Sequence, residues 1–424
     1  MSHVELLSFP PPYRGALALS SDTDDLWEPE SWWEFLSWLN TTDSTRFGPG
    51  LGMEAGDSFW FWSDHAGEQP GAYFQGLEAK PSKFAPYIGV LGRAGYLDTL
   101  HSWGNFSRHG GFRREHAEVA ARALADEGFS PSVWVNHGGG HDFQNLWTGC
   151  GDVPENPEAR GAPAPEYHLD LTWELGFRYA WLGELTLVPG QDRKLGLGDW
   201  LGSGSAVPRE TAAHLGRALA RRLGYRQLLE RYPNYPTLTN RLLSSRQLRD
   251  GREVRTFVRY GDFARATFSD LAWLLRDAYL DRLEDMGGSS ILFVHWCRHE
   301  GRTFENLDPA ALGALVRLAV RAREKRIWVT TTGRLLAYSE ARDAVRLEQG
   351  PGDRWKLQAS TLPDGRALQI ADLAGLAFRS GGGVRPDIHF QEQGLELEPV
   401  PGEKEVWWIP IIPLRFPEPP RVNA

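Results

Sequence analysis

Short apolar runs alternate with amphipathic stretches along most of the chain. Helical periodicity predicts helices over residues 29–39, 112–127, 208–223, 268–286 and 309–324. Runs rich in β-branched and aromatic residues predict strands at residues 15–20, 97–100, 132–136, 177–181, 254–259, 290–294 and 326–331, with 58–62 as a further candidate. Strands that alternate with helices indicate parallel β/α units. Seven or eight such units favour a closed barrel.

Two helix ends carry clear local signals. Gly128 follows the helix predicted at 112–127 and is suited to the left-handed conformation after a helix. Asp308 precedes Pro309, which predicts an N-cap followed by proline at the first helical position.

The pattern changes after about residue 345, where apolar and polar residues alternate and Gly, Pro and Asp interrupt the runs. This alternation is typical of antiparallel strands. We therefore predict an α/β fold: a distorted (β/α)7 barrel over residues 1–343 and a small antiparallel β domain over 344–424. The stretches at about 41–95 and 183–251 are too long for barrel connections and are predicted to be insertions.

Composition excludes several classes of protein. The chain has 424 residues, a formal net charge of −9 and no Lys/Arg cluster, which disfavours nucleic acid and membrane partners. Cys150 and Cys297 are its only cysteines, so a disulfide scaffold or a cysteine metal cage is not expected. Without an apolar run of membrane length or a recognisable secretory signal, we expect a cytoplasmic protein. Nothing in the sequence indicates the oligomeric state.

Polar residues capable of chemistry follow the ends of several predicted strands. They are Asp22, Asp24 and Asp25 after the first strand, then His101, His137 and His295 after later ones. The carboxyl ends of barrel strands meet at one mouth, so these groups are expected to converge. Crowded carboxylates are costly unless a cation or a shared proton relieves them. A turn that caps the following helix is the alternative explanation for the acidic cluster.

Further residues beside these groups are predicted to bind substrate. The chain has 18 tryptophans, and an indole ring can stack on the apolar face of a sugar. Core packing is the alternative explanation for the two tryptophans that adjoin candidate histidines. Three successive glycines after His137 would let backbone approach a ligand. The predicted substrate-binding residues are Asp25, Trp103, His141, Asn145 and Trp296.

The order of these motifs resembles the polysaccharide deacetylase (NodB-homology) domain over about residues 14–340. In that family an acidic motif ends the first strand, an H[ST]xxH motif follows a later strand, and a late apolar strand ends in Leu-x-His. Residues 22–25 (DTDD), 101–105 (HSWGN) and 292–295 (LFVH) stand at these places. Asn105 occupies the position of the second histidine of H[ST]xxH.

The resemblance implies a (β/α)7 barrel and a divalent metal, zinc first, with cobalt, nickel or manganese as alternatives. It implies that Asp22 is the catalytic base, Asp24 a metal ligand and His295 the general acid, with Asp25 able to substitute for either aspartate. His101 and Asn105 would be further metal ligands. His137 could supply the missing imidazole nitrogen.

The function that follows is a metal-dependent hydrolase that removes an acyl group from a sugar or a similar amide. Its expected partner is therefore a carbohydrate or an acylated small molecule. Two alternatives remain open: a degenerate barrel that binds glycan without hydrolysing it, and a hydrolase of a small non-sugar C–N bond.

Overall fold

The computed structural model describes residues 3–22, 26–63, 71–106, 111–137, 142–155, 164–201, 206–224, 240–297, 304–351 and 354–421. Asp24, Asp25 and His141 lie outside these described residues.

Strands run through the whole of the described chain. They are β1 (Val4–Leu6), β2 (Gly15–Ser21), β3 (Ser58–Phe59), β4 (Trp62–Ser63), β5 (Phe74–Gln75), β6 (Glu78–Pro81), β7 (Thr99–Leu100), β8 (Gly104–Asn105), β9 (Val133–Val135), β10 (Tyr179–Trp181), β11 (Leu185–Thr186), β12 (Leu243–Gln247), β13 (Glu253–Phe257), β14 (Arg259–Tyr260), β15 (Ser289–Val294), β16 (Ile327–Thr330), β17 (Val345–Gln349), β18 (Arg354–Ala359), β19 (Ala377–Ser380), β20 (Asp387–Phe390), β21 (Gln393–Gly394), β22 (Glu398–Pro399) and β23 (Val406–Trp408).

Helices separate the strands of the first three quarters of the chain. They are α1 (Pro29–Asn40), α2 (Ala85–Arg93), α3 (Arg114–Glu127), α4 (Leu169–Glu174), α5 (Leu197–Leu201), α6 (Ala206–Arg222), α7 (Leu271–Leu274), α8 (Asp277–Met286), α9 (Pro309–Arg323) and α10 (Thr332–Ala344), with a short 3-10 helix at Ile370–Leu373.

Two mainly parallel sheets form the α/β part of the protein. One has the strand order β12-β13-β10-β9-β7-β3, and only its edge pair β12–β13 is antiparallel. The other has the order β11-β14-β15-β2-β16 and is parallel throughout. Strands β10 and β13 of the first sheet lead directly into β11 and β14 of the second. The parallel β/α organisation predicted from the sequence is thus confirmed.

Strand β15 shows how deeply the second sheet is buried. All six residues of β15 are buried, as expected for a parallel strand that is covered on both faces. Gly128 ends α3 in the left-handed conformation (φ 72°), as predicted.

The helix predicted over 268–286 is in fact two helices, α7 and α8. Arg276 between them has extended backbone (φ −60°, ψ 151°). Its guanidinium Nη1 donates a hydrogen bond to the Trp273 carbonyl oxygen (2.7 Å) and lies over the Trp273 ring. The side chain therefore stabilises the end of α7, where helical hydrogen bonding stops.

The strands after residue 344, together with β1, form two four-stranded sheets, β1-β19-β23-β22 and β17-β18-β20-β21. All neighbours are antiparallel except β18 and β20. These two are parallel because the chain crosses to the other sheet as β19 before it returns. Strand β1, near the N terminus, belongs to this β region, whereas the predicted boundary assigned residues 1–343 to the barrel.

The last described residues return to the α/β part. The backbone N–H of Leu414 donates to Glu54 Oε1 (2.9 Å), and the Phe416 ring packs on those of Trp33 and Tyr96. The β region is therefore tied to the α/β part at both ends. Among the described residues, no helix has both the length and the apolar character needed to cross a bilayer.

The start of α9 gives a direct test of the local sequence signals. Asp308 Oδ1 accepts hydrogen bonds from the backbone N–H groups of Ala310 and Ala311, with Pro309 at the first helical position. Asp308→Ala should lower the free energy of unfolding by about 1 kcal/mol, because two N–H groups lose their acceptor. Urea unfolding measures this. Asp308→Asn is the control that keeps an acceptor, and equal stability of the Ala and Asn variants would contradict the role.

Candidate functional site

Four chemically capable side chains follow the ends of four parallel strands. Asp22 follows β2, His101 follows β7, His137 comes two residues after β9, and His295 follows β15. All four are buried. Asp22 contacts two of the imidazoles, and His101 contacts the third, so the groups form one continuous cluster.

A buried ion pair lies at the centre of this cluster. Arg259, at the start of β14, places Nη1 2.9 Å and 3.1 Å from the two carboxylate oxygens of Asp22. The guanidinium also lies over the ring of Trp181, 4.5 Å from its centre. Arg259 has no measurable exposure and Asp22 is 4% exposed, so solvent screens their attraction little.

The same contacts fix the charge of Asp22. Burial alone would raise the pKa of this carboxyl, but the charge of Arg259, and then the contacts with His101 and His295, outweigh burial. The pKa of Asp22 is held well below its usual range. The carboxyl is therefore ionised at neutral pH.

His101 and His137 face each other through ring nitrogens. His101 Nδ1 lies 3.3 Å from Asp22 Oδ1, and its Nε2 lies 2.8 Å from His137 Nδ1. The negative carboxylate favours a proton on His101 Nδ1, which leaves Nε2 of a neutral ring as an acceptor. His137 Nδ1 then donates to it. Trp60 packs against both rings, with ring centres 5.6 Å and 5.1 Å away.

His295 lies on the other side of Asp22. Its backbone N–H and its Nδ1 both contact the carbonyl oxygen of Ala266 (2.7 Å and 3.0 Å). A carbonyl can only accept, so Nδ1 carries a proton. The other ring nitrogen, Nε2, lies 3.9 Å from Asp22 Oδ2.

The loop over residues 142–152 holds His137 in place. The Asn145 side chain accepts from the His137 backbone N–H (3.0 Å) and donates to the His137 carbonyl oxygen (2.7 Å). Gln144 likewise accepts from the Trp103 N–H and donates to the Gly104 carbonyl oxygen. Asn145, predicted to bind substrate, is thus buried and positions a histidine.

Two aromatic residues predicted to bind substrate lie in the core. Trp103 is fully buried and packs on Phe61 and Trp134, and Trp296 is 2% exposed and packs on Phe35. Both are core residues, because they lie close in the chain to the buried strands β7 and β15.

Asn105, the predicted ligand in place of a second histidine, is buried on β8 opposite Ser63 of β4. Among the described residues, no group of three or more His, Cys, Asp or Glu side chains is arranged to hold a metal ion. Three predicted site residues lie outside that part of the chain: the metal ligand Asp24 and the substrate-binding Asp25 and His141.

Two charged residues of the cluster were missed by sequence reasoning. Arg259 is the last residue of the predicted strand 254–259, in which polar and apolar residues are mixed, so the pattern that singled out the histidines did not mark it. Asp57 precedes β3 and gives no such signal.

Asp57 is a second buried carboxyl near Asp22, and its pKa is shifted in the opposite direction. Its oxygens accept from Trp32 Nε1 (2.9 Å) and the Ser58 N–H (2.8 Å). Burial raises the pKa of Asp57 to about 7; these hydrogen bonds offset the effect in part, and the charge of Asp22 adds to it. One carboxyl of the pair is thus firmly ionised while the other titrates near neutral pH.

Comparison with known proteins finds no family model, curated protein or solved structure that matches the chain.

Removing one member of the central ion pair should cost far more than removing both. Arg259→Met leaves Asp22 buried without its main counter-charge and should lower the free energy of unfolding by about 3–5 kcal/mol. The double variant Arg259→Met, Asp22→Asn should recover most of that loss. Urea unfolding of the two single variants and the double variant gives the coupling energy. Strictly additive effects would show that the two groups do not interact.

The pKa of Asp57 predicts a pH dependence of stability. Its pKa is raised from 3.8 to about 7, so between these values the folded state binds a proton that the unfolded state has released. Stability from this group is fully present below about pH 4 and is lost as the pH rises through 7. Asp57→Asn should therefore flatten the fall in unfolding free energy between pH 4 and 7. Asp285→Asn, at an exposed position, is the control, and an unchanged slope in Asp57→Asn would refute the assignment.

Proposed function

We propose that this protein is a metal-dependent hydrolase of the polysaccharide-deacetylase type, built on a distorted (β/α)7 barrel. The observation that carries the proposal is the cluster of Asp22, His101, His137 and His295 at the carboxyl ends of four parallel strands. A carboxylate and several imidazoles at one mouth of parallel strands suit hydrolytic acid–base chemistry.

Contacts between the outer strands of the two sheets support the closed barrel. In the first turn of α10, which follows β16, the backbone N–H of Gly333 donates to Asp98 Oδ2 (2.7 Å), just before β7. Gly56, just before β3, packs so closely on Thr331 that a Cβ there would lie 3.1 Å from its side chain. The segment that follows β16 of the second sheet therefore lies against the residues that precede β3 and β7 of the first sheet. This is the proximity that closure requires.

The described residues supply two of the donors that the divalent metal implied by the resemblance would need. His101 Nε2 and His137 Nδ1 lie 2.8 Å apart and share one proton, which a cation could replace. Imidazole nitrogens are preferred zinc ligands. His101 and His137 would hold the metal, with Asp24 as the further predicted ligand. When bound, the metal would polarise the acyl carbonyl and lower the pKa of a coordinated water.

The protein's own residues provide a path for the proton. Asp22 is ionised, so its carboxylate can accept a hydrogen bond from the attacking water and pass the proton of that water on. Since the pKa of Asp22 is held low, the proton is released readily to His295 Nε2, 3.9 Å away. His295 then protonates the leaving nitrogen or oxygen of the substrate. Arg259 keeps Asp22 ionised at rest and holds it in place, and Ala266 fixes the imidazole of His295 in the required tautomer.

Release of acetate is the test of this function. The metal-loaded protein is offered acetylated chitooligosaccharides, acetylated xylooligosaccharides and a small aryl acetamide. We expect acetate from at least one saccharide, with kcat lowered by about 10²–10⁴ in Asp22→Asn and His295→Ala, because each removes a proton-transfer group. Asp285→Asn should leave kcat unchanged.

The other outcomes are equally informative. Activity confined to the aryl acetamide would assign the site to a small non-sugar amide. Saccharide binding without acetate release would assign the chain to the glycan-binding alternative. Acetate release that survives both Asp22→Asn and His295→Ala would contradict the proposed proton path.

A further inference from the structure

Exposed aromatic side chains lie beside the catalytic cluster, although the tryptophans next to its histidines are buried. Trp147, on the loop that holds His137, is 38% exposed, and Phe263, on the segment after β14, is 55% exposed. Phe263 packs on Phe293 (ring centres 5.4 Å apart), which in turn packs on the imidazole of His295 (5.4 Å). An exposed aromatic ring thus lies one side chain away from the proposed acid.

The backbone at Trp147 is unusual for an exposed bulky residue. Its φ is 68°, in the left-handed region that non-glycine residues seldom adopt. Buried Asp152 accepts a hydrogen bond from the Trp147 N–H (2.9 Å) and pairs with Arg249, which fixes this conformation. A surrounding structure that enforces such a conformation for a solvent-facing ring indicates a role beyond packing.

A polar pair lies next to this ring. Arg246 places its guanidinium 4.9 Å from the centre of the Trp147 ring, and its Nη2 is 3.0 Å from Glu184 Oε1. Glu184 is buried, and burial raises its pKa to about 7, with Arg246 opposing the effect. Aromatic carbon surface therefore adjoins hydrogen-bonding groups that are held in place by one another.

The polar pair also connects the aromatic residues to the catalytic cluster. The Glu184 carbonyl oxygen accepts from Trp181 Nε1 (2.7 Å) and from the Arg259 N–H (3.0 Å). Trp181 in turn lies against Phe263, with ring centres 6.3 Å apart. Trp147 and Phe263 are therefore the exposed ends of one chain of contacts, which runs through Arg246 and the buried residues Glu184 and Trp181 and passes beside the ion pair of Arg259 and Asp22.

We propose that the surface around Trp147 is a carbohydrate subsite, in which Trp147 stacks on a pyranose ring and Arg246, held by the buried Glu184, donates to its hydroxyl groups. The inference rests on the proposed function in one respect, since it places the subsite next to the group that is hydrolysed. A pyranose ring has an apolar C–H face and polar edges, so it matches an exposed aromatic plane that lies beside a guanidinium group. The substrate class is then an oligosaccharide that extends beyond the reacting sugar, with Phe263 bordering that sugar.

Binding to the inactive protein tests the subsite without turnover. Asp22→Asn, or His295→Ala if the former does not fold, is titrated with tetra-N-acetylchitotetraose and with acetylated xylotetraose by calorimetry. Adding Trp147→Ala should weaken binding of the preferred tetrasaccharide by roughly tenfold, which corresponds to about 1.4 kcal/mol. Trp147→Phe should retain most of the affinity. Trp200→Ala is the matched control, because Trp200 is also 38% exposed but lies on α5.

The subsite and the hydrolysis can fail separately. Equal affinity of the Trp147→Ala and Trp200→Ala proteins, or no binding of either tetrasaccharide, would overturn the subsite. Acetate release whose kcat/KM for the tetrasaccharide is unaffected by Trp147→Ala would also overturn it, and would leave the hydrolase proposal intact. Binding that depends on Trp147 without acetate release would support the subsite and remove the hydrolase proposal.

Discussion

The ion pair between Arg259 and Asp22 is the interaction on which the rest of the cluster depends. Both groups are taken out of water, which costs several kcal/mol for each charge unless the two remain together. Their contact joins β14 to the end of β2, two strands that are separated in the second sheet by β15. Asp22 then presents its remaining acceptor capacity to His101 on one side and His295 on the other. A neutral residue in place of Asp22 would remove the charge that both imidazoles contact. A neutral residue in place of Arg259 would leave that charge buried without its partner.

Two buried carboxyls with opposite protonation behaviour are a recurring feature of acid–base sites. Asp22 is held charged by a guanidinium, while burial beside that negative charge raises the pKa of Asp57 to about 7. The difference arises from neighbours rather than from depth, since both residues are almost completely buried. Ser58 links the two positions, because its hydroxyl donates to the Ser21 carbonyl oxygen at the end of β2 (2.6 Å). A change of charge at one carboxyl therefore shifts the pKa of the other.

Periodicity predicted most of the α/β region because strand and helix patterns depend on near neighbours. The strands that end before Asp22, His101 and His295 were found from apolar runs, and the cap at Asp308 from two residues. The break between α7 and α8 was not predicted, since it depends on Arg276 bonding to a carbonyl that the sequence does not reveal. The addition of β1 to the C-terminal sheet was missed for a related reason: its partner Ala377–Ser380 lies far along the chain.

The sequence could predict the site residues that follow strand ends, but not the residues that support them. Arg259 ends the predicted strand 254–259, but that strand contains polar residues, and an arginine at such a place is also common at an ordinary surface. Asp57 precedes its strand, so the register could not indicate it. The exposed aromatics differ from the predicted ones because burial decides which rings remain accessible: Trp103 is adjacent to His101 in sequence but lies in the core, whereas Trp147 is raised to the surface by a loop conformation that Asp152 fixes.

A crystal structure of the protein grown with zinc, with anomalous differences measured at the zinc edge, tests the central claim most directly. The account predicts one strong peak bonded to both His101 and His137, next to the Arg259–Asp22 ion pair, with the hydrogen bond between the two imidazoles replaced by coordination. Zinc bound only elsewhere on the molecule, with the contact between His101 and His137 unchanged, would contradict it.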